Sequence, residues 1–302
     1  GFRYRPRFDF RGVGLGHTIK LGAWTLAFIV VNQIAYFSIL RIATGADLEG
    51  AQRKVASAGQ VVYDVGFLIT QVPHGVITVS LATAMIPTLA ALAADRNLGR
   101  LRLELGRTVR LTRMLVAPIA VAVACLGPLI AAVLAGFGAA KGNTAAIGAT
   151  VSAFALAMVM FSTHYLVLRG FYAMEDTRTP FFIQVAIAAA NVVLALVLTA
   201  NAAPIEVSTR LALAYGLAYG AGLIISVSVI SRRIGRLADH EMVSFVARLV
   251  VVLALTAVVL LGGRWAWDTV IGSNTGNWLM ALSELLVVSA LGVLAVLAGA
   301  RL

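Results

Sequence analysis

Leu168-Arg169-Gly170-Phe171-Tyr172-Ala173-Met174-Glu175-Asp176-Thr177-Arg178-Thr179-Pro180 separates two apolar runs, residues 147–168 and 181–199. A helix needs about twenty apolar residues to cross the hydrocarbon core of a bilayer, and both runs meet that length. The segment between them therefore lies at a membrane surface. It carries charges of both signs, an aromatic pair, a glycine and a proline suited to starting a helix, so it is expected to be a joint between two membrane helices. The fold class follows: all-α, a polytopic membrane protein.

The rest of the chain agrees. Of its 302 residues 60% are hydrophobic and only 12% charged, and the mean hydropathy is +0.93. So little charge over that length excludes an ordinary soluble domain. Eight runs qualify as spans: 21–40, 65–93, 114–135, 147–168, 181–199, 211–230, 243–261 and 279–297. The second is overlong and contains Pro73 and Pro87, so it is expected to tilt or kink.

Charge tests this topology. The net charge is +11, yet the basic residues cluster between spans rather than forming a patch for nucleic acid, and no nucleic-acid partner is expected. One side receives Arg3, Arg5, Arg7, Arg11 and Lys20, then Arg96 to Arg113, Arg169 and Arg178, Arg232 to Arg248, and Arg301. That is 18 of the 24 basic residues. The other side receives Arg41, Arg53, Lys54, Lys141, Arg210 and Arg264. The positive-inside rule then puts both ends of the chain in the cytoplasm. Trp265, Trp267 and Trp278 fall at the outer ends of the last two spans, as interface anchors do. The chain begins at Gly1 and ends at Arg301-Leu302 directly after an apolar run, so a piece of a longer protein is expected. Between spans two and three, Leu98, Leu101, Leu105 and Val109 recur at helical spacing. They fit either a short amphipathic helix on the membrane surface or a solvated basic loop.

Polar groups inside hydrocarbon are costly, which makes each a candidate for function and, equally, for helix packing. Span one offers Asn32, Gln33 and Tyr36, with Arg41 near its outer end. Span two offers Asp64, Gln71 and Thr78 at seven-residue spacing on one face, with His74 beside Pro73, where it caps a kink or meets a ligand. Asn191 and the pair Tyr215 and Tyr219 are weaker candidates, and His164 and Tyr165 are explained by anchoring near the membrane surface. No Ser/His/Asp set, metal-spaced His or Cys cluster or phosphate-binding glycine loop is present. The single cysteine, Cys125, lies in an apolar run and reads as inert. Runs of small residues such as 186–190 favour close, sliding helix contacts, and a transporter is expected rather than an enzyme, with no cofactor or metal.

Two segments resemble a known family. Residues Arg169 to Pro180 resemble the FYA…D-T-x-T-P joint of the MurJ/MviN lipid II flippases. Pro73-His74-Gly75-Val76, followed by Ala82-Thr83-Ala84-Met85-Ile86-Pro87-Thr88-Leu89, resembles their P-x-G-V…AT…P-x-L helix. Gln33 and the start of span seven at Arg248-Leu249-Val250-Val251 also match. The order of spans is similar to the second half of that fourteen-helix fold, within the multidrug/oligosaccharidyl-lipid/polysaccharide exporter superfamily. The resemblance implies a cytoplasmic basic lead-in over 1–20, a six-helix second lobe over 21–235, and two additional helices over 236–302 that form a groove for a lipid tail. It implies lipid II, the undecaprenyl-diphosphate-linked peptidoglycan precursor, as substrate and a bacterial cytoplasmic membrane as location. Transport would proceed by alternating access, driven by the membrane potential or an ion gradient.

The sequence departs from the family in two places. Many relatives carry an arginine where this chain has Leu68, and a sodium-binding role for span five rests on Asn191 alone, since Ala195 one turn later offers no ligand. Two other functions stay open: export of another cargo, such as a drug, a cation or a different polyprenyl-linked glycan, or a non-transporting scaffold for cell-wall synthesis proteins. For the joint itself, Arg169, Tyr172, Glu175, Asp176, Arg178 and Pro180 are expected to form a gate at the cytoplasmic surface. Thr179 is the expected N-cap, Pro180 the first helical residue, and Arg178 a partner for Glu175 or Asp176.

Overall fold

A computed structural model describes residues 15–137, 142–237, 239–272 and 277–299. Most of the basic lead-in (1–14), Lys141 and Arg301 lie outside them. The described residues form nine α-helices: α1 (Leu15–Arg53), α2 (Gln60–Pro73), α3 (Ser80–Ala94), α4 (Leu98–Ala135), α5 (Thr144–Ala173), α6 (Arg178–Thr199), α7 (Val207–Ile234), α8 (His240–Val270) and α9 (Trp278–Gly299). A π-helical segment, His74–Val79, joins α2 to α3 without a break, so eight helical stretches are long and apolar enough to cross a membrane. Pro73 cannot donate to the ladder, and the wider π turn begins at the next residue. Pro87 sits inside α3 and interrupts nothing.

Helix α5 is the centre of the lobe, packed by α4 and α7 along its length and by α2 at one end. Its crossing with α4 is close because Gly127 and Gly148 meet there. A Cβ on Gly127 would fall 2.6 Å from the Gly148 carbonyl oxygen, and one on Gly148 would fall 2.7 Å from Pro128 Cα. Small residues at membrane-helix interfaces permit this kind of backbone approach. Helices α8 and α9 pair with each other and pack on α4 through Leu126, Leu129, Leu260, Ala281 and Val288. The outer surfaces of α1 and α8 expose Ile29, Ile34, Phe37, Val251, Leu255 and Val258, an exterior matched to hydrocarbon.

The amphipathic pattern at 98–109 belongs to neither a separate surface helix nor a solvated loop. Asn97 caps α4 by accepting from the Arg100 N–H at 3.2 Å, and the helix runs unbroken to Ala135. Leu101 and Leu105 are fully buried in the same cluster as Leu166, Phe171 and Ile230. The alternation marks a lobe-facing stripe, not a bilayer-facing one. At about 1.5 Å per residue the 38 residues of α4 span about 57 Å, far more than the bilayer core, so this arginine-rich start projects beyond it.

The two ends of the lobe differ. The arginine-rich end carries the α3–α4 and α5–α6 connections. At the opposite end, residues 54–59 are stapled to α7 and the turn that leads into it: the Ala58 N–H donates to the Pro204 carbonyl at 3.0 Å, and the Ser208 hydroxyl donates to the Gly59 carbonyl at 2.7 Å. Asp47 on α1 accepts from the Ser57 hydroxyl and from the Gln60 N–H, both at 3.1 Å.

Candidate functional site

Two adjoining cavities open between α1, α2, α5, α6 and α7. The first, about 380 Å³, is lined by Asn32, Gln33, Tyr36, Tyr63, Asp64 and Asn191 among others. The second, about 690 Å³, takes in Thr25, Gln71, Phe161, His164, Arg169 and Tyr172, and shares Asn32, Phe67, Gln184, Tyr215 and Tyr219 with the first. The helices present polar groups here because an amide or hydroxyl left unpaired in hydrocarbon is costly. Tyr36 donates to Asp64 Oδ1 at 3.3 Å, and Gln184 Nε2 donates to Asn32 Oδ1 at 2.8 Å across the α1–α6 contact. The Tyr215 and Tyr219 rings lie 4.7 Å apart and form an aromatic wall with Phe161.

The sequence candidates divide. Asn32, Gln33, Tyr36 and Asp64 come together in the first cavity, and Gln71 lines the second. Thr78 does not join them. It follows the π segment's onset, whose wider turn takes it off the Asp64–Gln71 face, and it is fully buried. Arg41 is exposed and lines neither cavity, since α1 turns it away beyond Ile39. His74 is packed rather than open: its Nδ1 lies 3.0 Å from the Ser162 hydroxyl, its ring 4.4 Å from Phe161, and it borders a void of about 10 Å³. Asn191 lines the first cavity, and its buried Oδ1 has no hydrogen-bond partner among the described residues.

His164 and Tyr165 are not surface anchors. The apolar run ends at Leu168, but α5 continues to Ala173, which puts both residues well inside the lobe. His164 is 2% exposed and pairs through Nδ1 with the Ser226 hydroxyl at 2.8 Å. Gln184 and Tyr63 are further lining residues that sequence reasoning passed over. A lone glutamine within the apolar run Phe181-Phe182-Ile183-Gln184-Val185 gives the same signal as Asn32. The same holds for Glu284, which is 4% exposed on α9 with Oε1 3.7 Å from Arg264 Nε. Arg264 also donates to the Cys125 carbonyl at 2.9 Å, so one arginine ties α8 to α9 and α4.

The joint is built differently from its expected form. Thr177 is the N-cap of α6, Arg178 begins the helix and Pro180 is third, still within the first turn where no N–H is needed. The capping acceptor is Asp176, whose Oδ1 takes the Thr179 N–H at 2.9 Å, so Thr179 is not the cap. Asp176 Oδ2 pairs with Arg233 from the end of α7, and Arg233 also donates to the Thr179 hydroxyl at 2.9 Å. Arg178 lies over the Trp24 and Phe182 rings, 5.7 Å from each. Burial pushes the Asp176 carboxyl up, but the hydrogen bonds from Thr179 and Arg233 outweigh it and hold it below the ordinary carboxylate value. Glu175 adopts a left-handed backbone, φ +57°, at the turn.

Arg169 stacks 4.1 Å over Tyr165 and 5.6 Å from Tyr172, and its Nε has no hydrogen-bond partner among the described residues. It lines the second cavity and also a separate vestibule of about 710 Å³, bounded by Ala90, Arg96, Tyr172 and Glu175 at the arginine-rich end. Among the described residues no group of three His, Cys, Asp or Glu side chains is arranged to hold a metal.

Eight candidate spans, five of them around polar, aromatic-walled cavities, define a multi-pass helical membrane protein. Comparison with known proteins makes this specific: the chain belongs to the lipid II flippase MurJ family, whose model matches residues 1–279. It is 30% identical over 193 residues to a protein named probable lipid II flippase MurJ from Rhizobium meliloti (strain 1021), covering 64% of this chain and 35% of that relative. It is also similar in fold to a solved lipid II flippase MurJ in an inward closed conformation. The TM-score is 0.68 at 18% identity, covering 97% of this chain and 56% of the other. The chain thus spans about a third to a half of the length of these relatives.

Proposed function

We propose that this chain is the second lobe and tail-groove helices of a flippase. The flippase moves an undecaprenyl-diphosphate-linked peptidoglycan precursor, lipid II, from the inner to the outer leaflet of a bacterial membrane. The observation that carries this is the continuity of polar lining from Arg169 to Asp64 inside a lobe whose exterior is apolar. A diphosphate headgroup cannot cross hydrocarbon unaided, and cationic and hydrogen-bonding groups in a cavity replace its water. The positive-inside rule puts the arginine-rich end in the cytoplasm. Arg169 then stands between the cytoplasmic vestibule and the cavity, where it meets the headgroup first, and the Asp176–Arg233–Thr179 contact acts as the joint that keeps α5, α6 and α7 in register at that gate.

In this scheme α8 and α9 guide the lipid tail. An apolar groove of about 190 Å³ between them and α4, lined by Ile119, Leu260, Val293 and Leu297, supports that role. The reaction makes and breaks no bond, so no cofactor is invoked, and the driving force is the membrane potential or an ion gradient. The full-length protein, expressed in cells depleted of their own flippase, is expected to restore labelling of outward-facing lipid II. Insertion without recovery would refute the proposal. Asp64 as the carboxylate of the first cavity supports a second reading, a cationic cargo, which drug-resistance profiling in the same cells would expose.

A further inference from the structure

Arg178 stands in the joint without the carboxylate that its sequence neighbours offer. Asp176 is taken by Arg233, and among the described residues no carboxylate forms an ion pair with Arg178. Its guanidinium lies instead over the Trp24 and Phe182 rings. These belong to a shelf of three rings. Trp24 lies 5.1 Å from Phe181 and 5.8 Å from Phe182, and the two phenylalanine rings are 5.1 Å apart. An arginine held over ring faces is fixed in direction, while its N–H edges stay open to a two-oxygen acceptor.

A second cation shares this level. The Thr177 hydroxyl donates to the Leu21 carbonyl at 3.4 Å, which sets the start of α6 beside the start of the first span. Lys20 directly precedes the apolar run 21–40, and Arg178 stands just before the run 181–199. Both are exposed. Lys20 lies four residues before Trp24 and Arg178 four before Phe182, so each shares a helix face with its ring. Lys20 also forms no ion pair among the described residues. Two like charges thus flank one aromatic shelf at the arginine-rich end, with no acid between them to compensate.

The surroundings select the anion that fits. Towards the bilayer centre Leu26, Phe182 and Val185 are exposed, so the shelf continues sideways onto a hydrocarbon-facing surface. A soluble phosphate has no use for that surface, whereas an acyl chain does. A zwitterionic headgroup brings its own ammonium and cancels the attraction. An anionic phosphodiester does not.

We propose that Lys20, Trp24, Arg178 and Phe182 form a binding site for one anionic phospholipid of the cytoplasmic leaflet. Its phosphate sits on the two cations and its acyl chain runs past Val185. On the inner side of the same α1–α6 contact, Thr25 and Thr177 line the second cavity. The lipid therefore braces a cavity wall from outside, and the site does not depend on what the cavity carries.

The test places a benzophenone side chain at Val185 of the full-length protein. The liposomes hold a minority of dioleoyl phosphatidylglycerol in dioleoyl phosphatidylcholine, and mass spectrometry identifies the lipid in each photoadduct. Phosphatidylglycerol is expected to exceed its bilayer share by about fivefold or more, and by less at high salt. The double variant Lys20→Gln, Arg178→Gln is expected to return it to that share. Arg178 makes no hydrogen bond among the described residues, so this change leaves the Asp176 cap in place. Arg178→Lys, which keeps the charge but not the planar fork, should fall between the two. A benzophenone at the lipid-facing position Val258 should report the bilayer share alone. Equal enrichment at 258, enrichment unchanged in the double variant, or no adduct from position 185 overturns the proposal. So does loss of the enrichment on adding glycerol 1-phosphate, which would mark a phosphate site that needs no lipid chain.

Discussion

Asp176 shows how one side chain organises the joint. It caps α6 through the Thr179 N–H and accepts an ion pair from Arg233, two jobs on two oxygens. Removing an N-cap acceptor costs about 1 kcal/mol, and the exposed Arg233 partner adds little more. Asp176→Ala is therefore expected to destabilise the protein by about 1–2 kcal/mol in thermal unfolding, and Asp176→Asn, which keeps an acceptor, by less. The pH dependence has a definite sign. A carboxyl held below its ordinary value adds stability that is complete above that value and is lost as pH falls through the lowered one. Acidification below the usual carboxylate range should thus abolish the difference between wild type and Asp176→Asn. If that difference persisted at low pH, the ion-pair account of the joint would be wrong. The residue types at the joint were legible in the sequence, but the pairing was not, because Arg233 lies 57 positions away on a different helix.

At the scale of elements, the close α4–α5 crossing and the α8–α9 attachment make contrasting predictions. Gly127→Ala puts a methyl 2.6 Å from a backbone oxygen that cannot swing aside, so a loss of about 1–3 kcal/mol is expected in detergent melting curves. Melting unchanged by that substitution would contradict the packing. The Arg264–Glu284 pair is buried enough that removing one partner strands the other. Glu284→Leu and Arg264→Met should each loosen α9, measured as faster proteolysis, while the double variant loses less than the sum of the two, keeping the loss of the Arg264 bond to the Cys125 carbonyl. Additive losses would exclude a coupled pair. The spans themselves were readable because membrane helices announce themselves by length and lack of charge. The boundaries were less so: α5 continues five residues past its last long apolar stretch, which turned His164 from a supposed surface anchor into part of a cavity wall. The π segment had a sequence cause in Pro73, yet its effect on the register of Thr78 depends on which carbonyls re-pair, and no residue pattern specifies that.

For the whole molecule, the lobe combines a stapled end around Ala58 and Ser208 with an arginine-rich end that holds the vestibule and joint. Such an asymmetry suits a device that admits cargo from one side while the other is closed. The topology and family signature were carried by two motifs and the spacing of charge. The assembled cavity was only half legible, since Asn32 and Asp64 stand out as intramembrane polar residues but their partners Gln184 and Tyr36 are chosen by helix packing. The central claim is that substrate passes through this cavity. Photo-crosslinking tests it most directly: a benzophenone side chain at Gln184 of the full-length protein, in membranes containing radiolabelled lipid II, with the outward-facing position Val258 as comparison. A covalent lipid II adduct from position 184 and none from 258 is predicted. Labelling from 258 alone, or from neither position in a protein that still flips, would contradict it.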